Sequence, residues 1–182
     1  MDVVMIGFHV GINLNGNPTI GLYSYPNRKF FGKIFRNMEE CNNWHVEKYE
    51  HITRAIATEE VISSEIVQWI QLSLKFSKCH KFRFIGDKYD RNAFDWMITI
   101  MKAHNHWGKV SERYDGVVDL DDLLGTVGLK DVDRYQYAYM SDKHGGSWDS
   151  GAYIGMMIVN CYRRLTVQHP EILDAEADKD AR

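Results

Sequence analysis

The chain has 182 residues, of which 45% are hydrophobic and 26% charged, and it carries a formal net charge of −3 at pH 7. This length suits one domain with a sizeable buried core, and the composition excludes collagen, coiled coil and wholesale disorder. Net acidity argues against a protein that grips duplex nucleic acid by bulk electrostatics, since non-specific affinity comes mainly from Lys and Arg neutralising phosphates.

The run Val3-Val4-Met5-Ile6 followed by Phe8 and Val10 predicts a central strand buried on both faces. Asn13 to Pro18 carries turn chemistry, and Thr19 to Tyr25 and Phe30 to Phe35 read as two further strands turned at Pro26-Asn27, giving an N-terminal meander. Glu39 to Thr58 is polar and predicts short helices carrying Trp44 and Tyr49. From Glu59, apolar residues recur at Val61, Ile62, Ile66, Trp69, Ile70 and Leu74, a helical spacing with Thr58 as N-cap. Phe82, Phe84 and Ile85 form a strand that Gly86 ends, and Phe94, Met97, Ile98 and Met101 share one stripe of a helix over Asn92 to His104. Val117 to Leu124 is a short apolar-acidic segment, and Asp131 to Asp142 is a Tyr-rich polar loop or short helix. A last helix spans Ser147 to Leu165. The order of elements predicts an α/β chain with a mixed sheet and helices on its faces, one domain over 1–170, and a flexible tail over 171–182.

The longest apolar runs are too short to span a bilayer and no signal-like segment precedes them, so a cytoplasmic protein is expected. Cys41, Cys79 and Cys161 form no C-x-x-C pair, which signals neither a disulfide framework nor a zinc knuckle. Nucleic-acid contact is expected to be local, at Arg28-Lys29-Lys33-Arg36, Lys75-Lys78-Lys81-Arg83 or Arg163-Arg164, each of which also reads as a solvated face.

Three places bring acids and histidines to strand ends: Gly86 to Asp90, His144 to Asp149, and the first strand. A His on a glycine loop can swing over a metal site while an Asp about one helical turn later anchors a cation. Two-metal nucleases hold two cations about 3.5 to 4 Å apart on several carboxylates. A histidine of pKa about 6.5 can take the proton from the attacking water. Taken alone, His-x4-Asp also reads as a surface histidine followed by a helix-capping acid.

From Met1 to Leu165 the chain resembles the DEDDh, or DnaQ-like, 3′→5′ exonucleases, whose fold is RNase H-like. Met1 to Gly11 is similar to the opening strand, Gly86 to Asp90 with Arg91-Asn92-Ala93-Phe94 to the second motif, Val117-Val118-Asp119-Leu120 to the intermediate aspartate segment, and His144 to Asp149 to the third motif. The Trp44 stretch followed by the Val61 to Leu74 helix resembles the branch containing phage exonuclease A and small exoribonucleases. The resemblance implies a mixed central sheet with flanking helices, Asp90 and Asp149 as metal ligands for Mg²⁺ or Mn²⁺, and His144 as general base. Asp87 is the alternative second-motif acid, and Tyr89, Trp148 and Asp87 are candidate nucleic-acid contacts. Where the family has Asp-x-Glu at the end of the opening strand, this chain has Gly7-Phe8-His9. His9 brings at most one nitrogen, better suited to a transition metal than to Mg²⁺, and also reads as a core histidine.

Loss of that acid pair implies a catalytically weak or inactive relative that handles a single-stranded DNA or RNA 3′ end. Two other readings stand beside it. One is an active exonuclease with a rearranged site, using Mn²⁺ on His9, Asp90 and Asp149 or recruiting Asp87. The other is a protein-binding module of phage or viral type. Asp119, Asp121 and Asp122 read as a solvated helix start, and Trp44, Tyr89, Trp107 and Trp148 as core residues or base-stacking platforms.

Overall fold

In the computed structural model the described residues are 2–12, 18–34, 59–87, 91–138 and 151–173. Five strands form one sheet in the order β3-β2-β1-β4-β5. These are β1 (Val3–Ile12), β2 (Pro18–Tyr25), β3 (Lys29–Ile34), β4 (Lys81–Gly86) and β5 (Tyr114–Asp119). The meander pairs antiparallel through β1, β2 and β3, whereas β4 lies parallel to β1 and β5 parallel to β4. Only β2 therefore runs against the rest. This is the α/β class with a mixed central sheet and flanking helices that the sequence predicts.

The pleat of β1 sorts the core into two layers, because successive side chains point to opposite faces. Val4, Ile6 and Phe8 are buried against the helices α1 (Glu59–Ser77) and α2 (Arg91–Ala103), in one cluster with Ile62, Ile66, Ile70, Phe82, Phe84 and Met97. Phe8 packs against Phe84 and Phe94 at ring-centroid distances of 5.9 and 5.0 Å. The alternate residues Met5, Gly7 and His9 face α5 (Gly151–Gln168). That layer holds Tyr23, Ile85, Val118, Ile158, Val159, Cys161 and Leu165. Burying a Phe, Ile or Leu side chain contributes about 1.5 to 3 kcal/mol, so the period-two pattern of β1 is strongly selected on both faces.

Other elements refine or depart from expectation. The segment over Val117 to Leu124 divides into the edge strand β5 and the helix α3 (Leu120–Thr126), because Asp119 leaves the sheet and caps the helix: its carboxylate accepts from the N–H groups of Asp121 and Asp122. In the Tyr-rich stretch the expected short helix is present as a single turn, α4 (Arg134–Tyr137), capped by Asp133. Packing also continues past Pro170, where Ile172 is buried among the residues facing α5. Trp107, a candidate stacking platform, packs edge-on against Tyr114 and Phe82. Among the described residues, no helix is long and apolar enough to cross a membrane.

Candidate functional site

The carboxyl ends of β1, β4 and β5 lie together at one edge of the sheet, which is where open α/β sheets place ligands. Asp87 follows β4 directly, Asp119 ends β5, and Asp121 stands in the first turn of α3. Between them a small cavity of about 50 Å³ is lined by Phe8, Gly86, Asp87, Phe94, Val118 and Asp119. It has room for a water or two, not for a nucleotide. Burial raises the pKa of the Asp119 carboxyl, and the capping N–H groups of Asp122 and Asp121 oppose that shift.

Arg134 binds two of these acids at once. Its Nη2 donates to Asp121 Oδ1 at 2.9 Å and to Asp87 Oδ1 at 3.4 Å, and its Nε lies 3.0 Å from Asp87 Oδ2. The side chains of Arg134, Asp87 and Asp121 are 20%, 17% and 13% exposed, so this triad is largely withdrawn from solvent and removing one partner would leave uncompensated charge there. The reading of Asp121 as solvated is therefore corrected: α4 folds back and delivers a guanidinium onto it. The backbone behind Arg134 is tied down too, since its carbonyl accepts from the Cys161 thiol at 3.0 Å. Burial pushes that thiol from its ordinary value of 9.0 up to about 12, so Cys161 is a neutral packing group rather than a nucleophile.

Gly7, where the resemblance places the first acid, lies beneath α5. A Cβ built on Gly7 meets the Gly155 carbonyl oxygen at 2.0 Å and its carbon at 2.7 Å. The contact is with backbone on both sides, so no side-chain rotation relieves it. Gly155 is equally constrained, its Cβ falling 2.7 Å from the Gly7 oxygen. One turn earlier in the helix, a Cβ on Gly21 would meet Ala152 N at 2.0 Å, and one on Gly151 would meet the His9 carbonyl at 2.9 Å. Glycine at position 7 is thus a packing requirement. Putting Asp there with Glu at position 9 would separate helix from sheet before it rebuilt a metal site.

Of the sequence candidates, Gly7, His9 and Asp87 fall among the described residues; Tyr89, Asp90, His144, Trp148 and Asp149 lie outside them. The structure brings the His9 carbonyl close to Gly151 at the start of α5 and commits Asp87 to Arg134. Sequence reading missed Arg134, Gly21, Gly151 and Gly155. Arg134 follows an Asp-x-Asp cap signal in a polar stretch, and small residues at 151 and 155 leave a gap in the helical apolar stripe; neither names a partner.

The described residues do not fit a pair of divalent cations. One expected carboxylate position has no room for a side chain, Asp87 and Asp121 already neutralise Arg134, and Asp119 caps α3. Among the described residues, no group of three or more His, Cys, Asp or Glu side chains is placed to hold a metal ion. No protein-family model matches the chain, and no curated protein matches it.

Proposed function

We propose that this chain is an exonuclease-fold protein of the DEDDh kind that engages single-stranded nucleic-acid ends without two-metal hydrolysis. The contact between Gly7 and Gly155 carries the reading, because it makes the first-motif acid sterically impossible rather than merely missing. Two supports accompany it: the strand ends converge at an edge suited to ligands, and two of the acids there, Asp87 and Asp121, are paired with Arg134.

Metal-assisted phosphodiester cleavage needs carboxylates to hold both ions, one to activate water and one to stabilise the leaving oxygen. Mg²⁺ accepts oxygen ligands in near-octahedral geometry, which His9 cannot supply. Each 1.36 kcal/mol or so of lost transition-state stabilisation is a factor of ten, so losing this electrostatic contribution removes several orders of magnitude of rate. What the edge retains in this reading is binding, with Tyr89 and Trp148 as stacking platforms worth about 1 to 3 kcal/mol per base.

The test uses 5′-labelled single-stranded DNA and RNA with Mg²⁺ or Mn²⁺, and the variants His144→Ala and Asp149→Ala as controls. The oligonucleotides should keep their length while fluorescence anisotropy reports salt-sensitive binding that Trp148→Ala weakens. Shortening abolished by both variants would establish an active, rearranged enzyme instead. Intact oligonucleotides without any anisotropy change would leave the protein-binding module as the surviving reading.

A further inference from the structure

A helix that buries one face normally turns charged and polar residues outward, and α1 departs from this rule. Leu72 and Phe76, one turn apart, are 50% and 68% exposed. Val61 is exposed three turns before Leu72 on the same stripe, and Trp69 borders it, half-buried against Phe31 at a ring-centroid distance of 6.0 Å. The stripe lies on the far side of the helix from the buried positions Ile62, Ile66, Ile70 and Leu74. Among the described residues, the other exposed large hydrophobics, Val117, Val167 and Leu173, lie elsewhere and form no such row.

The charges along α1 are sorted by end. Glu59 and Glu60 stand in its first turn, Lys75 in its last and Lys78 just beyond, and all four are exposed. These charges complement the helix's own dipole, and the same sorting makes two antiparallel copies complementary to one another. Val61 and Phe76 lie equally far from Gln68-Trp69, so a two-fold axis at that midpoint sets Val61 of one copy beside Phe76 of the other, with both Leu72 side chains nearer the axis. Helical spacing places Glu60 and Lys75 on one flank of the stripe, and the axis brings Glu60 of each copy alongside Lys75 of the other. Glu65, half-buried on the stripe itself, comes within one turn of the same lysine. An anionic lipid surface matches this pattern less well, because it would repel Glu59 and Glu60.

We infer that α1 is the docking surface for a second copy of this chain, in an antiparallel α1-to-α1 pair held by Leu72 and Phe76 and set in register by Glu60 with Lys75. A single helix face makes a small interface, below about 1,200 Å², so the association is weak and reversible. The surface is separate from the acid edge and stands whether or not the chain handles nucleic-acid ends.

The experiment is sedimentation velocity of the full chain from about 10 µM to about 1 mM, with circular dichroism to check that each variant folds. The chain should pass reversibly from monomer to dimer, and added salt should favour the monomer. Phe76→Ser, at an exposed position, should raise the dissociation constant about tenfold or more. Lys75→Glu and Glu60→Lys should each raise it roughly fivefold, since the pair occurs twice by symmetry, whereas the two together should restore dimerisation. A chain that stays monomeric at about 1 mM would overturn the assignment, as would a dimer unmoved by Phe76→Ser. A charge-swapped double variant no tighter than either single one would overturn the antiparallel register. A monomer that floats with vesicles of equimolar phosphatidylcholine and phosphatidylserine, and ceases to in Phe76→Ser, would make a lipid surface the occupant instead.

Discussion

Gly7 shows how one residue decides between two accounts of the same absence. In the sequence, a glycine where the resembled exonucleases carry an acid reads as loss of function with the space retained. The structure gives a steric cause, since the Gly155 backbone occupies the space a side chain would need. That cause is invisible in a linear reading, because its two partners are far apart in the chain and glycine contributes nothing to a hydrophobic pattern. Gly7→Ala should therefore destabilise the fold by about 3 kcal/mol or more, as overpacking against backbone does. Gly125 in α3 is the internal comparison: its Cβ would meet nothing within 4 Å, and Gly125→Ala should stabilise by up to about 1 kcal/mol through helix propensity. Urea denaturation of both variants checks the pair; similar effects at the two positions would mean that α5 does not approach β1 so closely.

The elements were legible where they carry strong apolar periodicity and obscure where a polar residue organises them. The β1 run and the stripes of α1 and α2 gave their positions to within about three residues, since each repeats its buried side chains at its own period. β5 was not legible: it is an edge strand holding Gly116 at φ 92°, and Val118 is its one buried hydrophobic residue. α4 is shorter still, and its importance lies in Arg134, whose two acid partners come from β4's end and α3. Arg134→Gln should cost about 2 kcal/mol, because it leaves Asp87 and Asp121 close together and uncompensated in a largely buried place. Adding Asp87→Asn and Asp121→Asn should recover much of that loss. A double-mutant cycle from chemical denaturation measures it, and additive costs would show that the triad is not coupled.

For the whole molecule, the class of fold followed from the alternation of strands and helices, and the convergence of the parallel strand ends followed from the sheet order. The candidate site was only half legible. Sequence could nominate Asp87 and His9 as edge residues and place Asp119 at a helix start, but could not reveal that Asp87 is spoken for by Arg134 or that α5 lies flush on Gly7. Each of these depends on contacts between segments distant in sequence, which composition and spacing do not encode. The central claim is that this edge cannot hold two divalent ions side by side. Titrating the full chain with Mn²⁺ and following bound ions by electron paramagnetic resonance tests it most directly. The account predicts no spin-coupled pair at any Mn²⁺ concentration; a dipolar-coupled signal corresponding to two ions per chain, lost in Asp149→Ala, would contradict it.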